Sequence, residues 1–147
     1  MNRPMDRLDS FARSFPARRD ALDEVRTFIE DACDRARIGR KDCLRLTLLL
    51  EELFTNTVTH GYGRDTDAPV RIGLAVSHRT ASVSYEDTAP PFDPFQSIAN
   101  PTDDTSVEDR PVGGLGVLLL TKMAQRFGYA YAGGCNRITF EMAVTPS

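Results

Sequence analysis

Residues 52–62 read ELFTNTVTHGY, and the spacing of Glu52, Asn56 and His60 within them decides what kind of fold to expect. At about 100° per residue, four-residue steps set these side chains in one helical row that drifts toward the apolar stripe of Leu46, Leu49, Leu50 and Leu53. The helix is expected from about Lys41 to His60, with Gly61 ending it. Taken alone, the row reads as the solvated edge of an amphipathic helix. Asn is nevertheless a poor mid-helix residue, and an ordinary surface row favours Glu, Lys and Arg. An Asn side-chain oxygen one turn from a carboxylate is able to ligate Mg2+ while the carboxylate orients or deprotonates a nucleophile.

Outward from this helix, the chain has the texture of an ordinary globular protein. Its 147 residues, 41% hydrophobic and 27% charged, suit one domain spanning 1–147 with a real core. Eighteen Lys and Arg against 21 Asp and Glu leave a net charge of −3, which disfavours nucleic acid and anionic membranes as partners. Cys33, Cys43 and Cys135 form no C-x-x-C pair, which argues against a disulfide framework or zinc site and for reduced thiols in a cytoplasm. The longest apolar stretches, 46–50 and 115–120, are far short of a membrane span. Charges stand where a signal core would be.

Leu8, Phe11 and Phe15 lead into Pro16 as a short edge strand. A first helix is expected from Ala17 to about Arg37, carried by Leu22, Val25, Phe28, Ile29 and Ala32, with Gly39 as its stop signal. Residues 70–76 and 81–86 form a hairpin. Residues 87–112 hold five prolines and cannot be regular structure; a loop this long inside a compact domain is usually a functional lid or a disordered insert. A third helix follows Gly113 to about Phe127, then strands 128–132 and 136–144 turn through Gly133 and Gly134. This order predicts an α+β two-layer sandwich, with helices on one face of a mixed, mostly antiparallel sheet.

Two further features carry possible chemistry. Gly113, Gly114, Leu115 and Gly116 open the third helix, where free N–H groups bind phosphate oxygens, although a tight turn into a helix explains such a run equally well. Asp87 ends a strand, where Asp is most often a turn former. Buried instead, it would need a donor such as the exocyclic amine of adenine. There is no G-x-x-x-x-G-K-[ST], H-R-D or D-F-G, so neither the P-loop nor the eukaryotic-type kinase solution applies.

In order, ELFTNTVTHGY (52–62), EDTAPPFDP (86–94) and GGLGV (113–117) resemble the Bergerat-type (GHKL) ATPase/kinase superfamily over about residues 40–144. More narrowly the chain resembles the stand-alone bacterial anti-sigma factor/serine-protein kinase family, which ends in a matching G-x-N-R-[IL]-T strand, here Gly134 to Thr139. The resemblance implies the Bergerat ATP-binding fold, ATP and Mg2+ as cofactors, and roles residue by residue. Asn56 would hold Mg2+, and Glu52 would be the base that activates a partner's serine. Asp87, with Ala89 beside it, would meet the adenine amine. Gly113, Gly114, Leu115 and Gly116 would line the phosphates beneath a mobile lid, residues 88–112. His60 would brace the helix end as a packed imidazole. An anti-anti-sigma (STAS-type) protein, a sigma factor or similar regulator, and a second copy in a homodimer are the implied partners.

Two departures bear on this. The family's D-x-G is Asp87-Thr88-Ala89 here, which would strain any left-handed backbone at Ala89. The arginine that some members carry beside the glycine box is absent, Pro111 and Val112 preceding it and Arg110 being the nearest candidate. These motivate an alternative, a non-catalytic ATP-binding module that sequesters a regulator. A two-component histidine kinase domain is disfavoured because His60 and His78 are the only histidines and neither lies on an upstream dimerisation helix. A small-molecule enzyme lacks a nucleophile, base and orienter set, and Cys33 reads as a small buried hydrophobe.

Overall fold

The computed structural model describes residues 9–96 and 114–145. The expected edge strand is β1 (Asp9–Pro16), and a 3-10 turn (Arg19–Ala21) leads into α1 (Leu22–Arg35). Helix α2 (Arg40–Asn56) continues as a π-helical stretch, Thr57–Tyr62. The hairpin is β2 (Pro69–Ser77) and β3 (Thr80–Asp87), followed by α3 (Gly114–Met123), β4 (Arg126–Ala132) and β5 (Cys135–Ala143). The five strands lie in the order β1-β2-β3-β5-β4, and every described pairing is antiparallel.

Alternation along the central strands fixes which face is covered. Val70, Ile72, Leu74 and Val76 of β2, Ala81, Val83 and Tyr85 of β3, and Ile138, Phe140 and Met142 of β5 are all buried. They meet Val25, Ile29, Ala32 and Cys33 of α1 and Leu46, Leu49, Leu50, Leu53 and Phe54 of α2 in one core. Because side chains alternate with period two, Asp87 falls on the same face as Tyr85, and its register partner Asn136 on the same face as Ile138. Two polar residues thus close the inner face at one end of the sheet. The other face carries Arg71, Gly73, Ser82, Ser84, Glu86, Arg137 and Thr139 along an open groove of about 650 Å³. Arg137 Nε meets Glu86 there at 2.6 Å.

The helix ends differ from expectation. α1 stops before Gly39, because Arg37 takes up the left-handed conformation (φ 57°) itself. Ile38 N–H donates to Cys33 O (2.8 Å) and Arg37 N–H to Asp34 O (3.2 Å), the paired bonds of a Schellman motif. Gly39 instead caps the start of α2 with extended backbone. α2 does not stop at Gly61 but winds on to Tyr62, and Gly63 ends it at φ 72°. α3 ends at Met123 rather than near Phe127, because Gln125 N–H donates to Glu141 O (2.8 Å) and draws the chain into β4.

The Cys33 thiol, buried beside Cys43, is pushed well above the usual thiol range by desolvation, then by the neighbouring Cys43. All three cysteines are free thiols. Among the described residues no helix is long and apolar enough to cross a membrane.

The left-handed Arg37 has a direct test. Arg37→Gly removes the Cβ penalty at the position that stops α1 and is expected to raise unfolding stability by up to about 1 kcal/mol. The urea midpoint, at unchanged m, measures it.

Candidate functional site

Asp87 is only 8% exposed, and a carboxylate so placed needs donors or a cation. Among the described residues its partners are donors. Thr57 Oγ1 donates to Oδ2 (2.8 Å), while Asn136 Nδ2 (2.9 Å) and Ala89 N–H (3.2 Å) donate to Oδ1. Behind Thr57 stands Tyr85, whose hydroxyl lies within hydrogen-bond reach of Thr57 Oγ1 and of Leu53 O. Burial is the main cause that holds the Tyr85 phenol well above its ordinary range, so it remains a donor in this chain. A carboxylate offers about four lone-pair positions, and three are occupied. Among the described residues, one acceptor position is left for a further donor.

Glu52 and Asn56 are half-buried, one turn apart on α2. The Glu52 carboxylate accepts the backbone N–H of Gly116 in the first turn of α3, and desolvation, larger than that bond's opposing effect, raises its pKa above the usual glutamate range. Gly116 has to be glycine here: a Cβ on it would sit 1.9 Å from Glu52 Cγ. The two helices are therefore close enough for the carboxylate to reach the free N–H groups that open α3. Gly114 is the first residue of α3 and Leu115 the second, whereas Gly113 lies outside the described residues. Residues 97–112 of the expected lid, Arg110 included, lie outside them too.

Ala89 is buried, and its methyl packs on the π-helical turn: a Cβ built on Gly61 would come within 3.1 Å of it. Among the described residues Arg37 is the one non-glycine with positive φ, so Ala89 carries no left-handed strain. The alanine in place of the family's glycine is accommodated opposite a glycine. His60 departs from expectation, since it is exposed rather than packed. Thr57 and Val58 continue the buried stripe of Leu53 and Phe54 one turn on, and the change from α to π winding after Asn56 stops the row from drifting on toward that stripe, which leaves His60 outward.

Four residues that carry the site were not singled out as such from sequence: Thr57, Tyr85, Tyr129 and Asn136. Asn136 Oδ1 accepts from the Tyr129 hydroxyl and from Phe92 N–H (3.0 Å), and its Nδ2 also lies 2.9 Å from Ala89 O and 3.1 Å from Pro90 O. Tyr62 OH accepts Thr88 N–H at 3.1 Å. The signals for Asn136 were its place in the G-x-N-R-[IL]-T strand and an Asn at an inward strand position, where that residue is depleted.

Among the described residues no group of three or more His, Cys, Asp or Glu gathers as a ready metal cage. A Mg2+ here would be held by Asn56 together with phosphate oxygens and water, the usual manner for this ion. The donor set fits a metal–nucleotide better than a bare metal.

Comparison with known proteins bears on the family and the fold. The histidine kinase-like ATPase domain family matches residues 15–142. The serine/threonine-protein kinase BtrW of Bordetella bronchiseptica is 27% identical over 119 residues, covering 81% of this chain and 83% of its own. The RsbU and RsbW domains of Rv1364c from Mycobacterium tuberculosis superpose with a TM-score of 0.65 at 13% identity, over 95% of this chain and 34% of theirs. The catalytic domain of histidine kinase ThkA gives 0.52 at 13% identity, over 93% of this chain and 99% of its own. At such identities the structural likenesses establish the fold.

Two outcomes follow from the Glu52–Gly116 contact. Gly116→Ala is expected to push α3 away from α2 and cost about 1–3 kcal/mol in urea denaturation. The raised Glu52 pKa means that the folded chain keeps this proton to a higher pH than the unfolded one, so its contribution to stability falls as pH rises from the ordinary glutamate range through the raised value. Glu52→Gln should therefore melt above the wild type at pH 7, and the two melting temperatures should converge below about pH 4.

Proposed function

Because the chain belongs to the histidine kinase-like ATPase domain family, a kinase-like ATPase fold, we propose that it is an ATP- and Mg2+-dependent protein-serine kinase of a bacterial partner-switching system. It phosphorylates a serine on a small anti-anti-sigma (STAS-type) protein and otherwise holds a sigma factor or similar regulator. The kinase named among its relatives supports this reading. The observation that carries it is Glu52: a carboxylate with a raised pKa, one turn from Asn56 and against the opening of α3.

In this reading Asp87 accepts the adenine amine and Ala89 forms the wall beside it. Asn56 would hold Mg2+, which would supply neutralising charge to the phosphates. Gly113, Gly114, Leu115 and Gly116 lie along the phosphates: the first turn of α3 offers the backbone N–H groups of Gly114 and Leu115 to the phosphate oxygens, while that of Gly116 is held by Glu52. Glu52 takes the proton from the serine hydroxyl as its oxygen bonds to the γ-phosphorus and ADP leaves. A raised pKa makes Glu52 a stronger proton acceptor than an ordinary carboxylate, which suits a general base. Positioning and charge neutralisation do the rest of such a transfer, so this small set of groups is sufficient. The same reading takes the protein as a cytoplasmic homodimer with a lid over residues 88–112.

The test has two stages. Isothermal titration with ATP should give binding that weakens without Mg2+ and in Asn56→Ala. Transfer of labelled phosphate to the cognate partner should then fall by about 10²–10⁴-fold in Glu52→Gln, with ATP affinity retained. ATP binding without transfer to any partner would favour the non-catalytic module instead, and absence of ATP binding would sink both.

A further inference from the structure

Asn136 sits in β5 directly across from Asp87 and is 6% exposed. Its two amide protons serve three acceptors, Asp87 Oδ1, Ala89 O and Pro90 O, and its own oxygen accepts from Phe92 and Tyr129. The side chain is thus committed to the protein and has no capacity left for a ligand. Its effect on any bound molecule must pass through what it holds.

What it holds is the orientation of one carboxylate. Oδ1 of Asp87 receives two donors, Asn136 and Ala89 N–H, while Oδ2 receives one, from Thr57. The remaining acceptor position therefore belongs to Oδ2. A purine amine donates to such an atom, whereas a purine carbonyl at the same place sets oxygen against oxygen. Asn136 also ties the carbonyls of Ala89 and Pro90, so the neighbouring wall is held by the same amide.

We propose that Asn136 is the positioning residue that makes the site selective for a 6-amino over a 6-oxo purine nucleotide, by pinning Asp87 Oδ1 so that Oδ2 alone reads the base. This rests on the proposal that Asp87 meets adenine. Asn136→Asp is nearly isosteric and keeps the acceptor for Phe92 and Tyr129, but it replaces the donor to Asp87 with a second carboxylate. Tyr129→Phe removes one bond to Asn136 and leaves all three donors on Asp87.

The experiment is titration of the full chain with Mg-ATP and with Mg-ITP, which differ at the purine 6-position. The wild type is expected to prefer ATP by about tenfold or more, the value of one hydrogen bond to a charged acceptor. Asn136→Asp should lose at least about tenfold in ATP affinity and less than about threefold in ITP affinity, while Tyr129→Phe keeps the wild-type ratio. Equal loss of both nucleotides in Asn136→Asp, or an unchanged ratio, overturns the selectivity role and leaves ATP binding standing. A wild type that binds ATP and ITP equally overturns it as well. A wild type that binds neither removes the ATP site itself. If Asn136→Asp fails to fold by circular dichroism, Asn136→Ser is measured against the same two nucleotides, with a lowered ATP-to-ITP ratio expected and an unchanged one decisive against the role.

Discussion

A buried carboxylate that, among the described residues, is met by hydrogen-bond donors organises this end of the molecule. Unpaired, a charge at the Asp87 position would cost far more than a small fold can tolerate. The donors come from three places: Thr57 beyond α2, Asn136 in β5, and the backbone at Ala89. Each requires a particular larger arrangement. Thr57 needs α2 to continue past Asn56, and Asn136 needs β5 paired to β3 in the register that sets it opposite Asp87. The hydroxyls of Tyr85 and Tyr129 then stand behind these donors and restrict how they turn.

A second constraint is the approach of α3 to α2. With no side chain at Gly116, the start of α3 comes within hydrogen-bond reach of Glu52. The same contact leaves the carboxylate partly desolvated and gives it a helix N-terminus as neighbour. The first raises its proton affinity and the second opposes that. One glycine thus sets both the spacing of two helices and the acid–base character of the residue between them. The Glu52 carboxylate and the opening turn of α3 belong to a single packing arrangement.

The π-helical stretch joins these two regions. A continued α-helix would have kept Glu52, Asn56 and His60 in a slowly drifting row. Thr57, one turn past the buried Leu53, faces inward to Asp87, and the wider winding that follows leaves His60 exposed. The same winding places Gly61 against Ala89, which gives the extra methyl of that alanine its room. Ala89 is thus matched by a glycine on another element.

Much of this was legible in the residues. Period-two runs in β2, β3 and β5 and the leucine stripe of α2 determined the elements and their buried faces, because burial of apolar surface has to follow the local repeat. Motif order pointed to Glu52, Asn56, Asp87 and the glycine run. What only the tertiary structure decided was set by contacts distant in sequence. Asn136 stands 49 residues from the carboxylate it serves, and no periodicity announces that pairing. The left-handed Arg37 replaced Gly39 as the helix stop because the Schellman bonds to Cys33 and Asp34 form there. The end of α3 was set by the bond from Gln125 to Glu141, and the phase of His60 by a change of helical winding. Local sequence specifies which face of an element is buried; register, winding and helix spacing follow from satisfying buried polar groups across the whole fold.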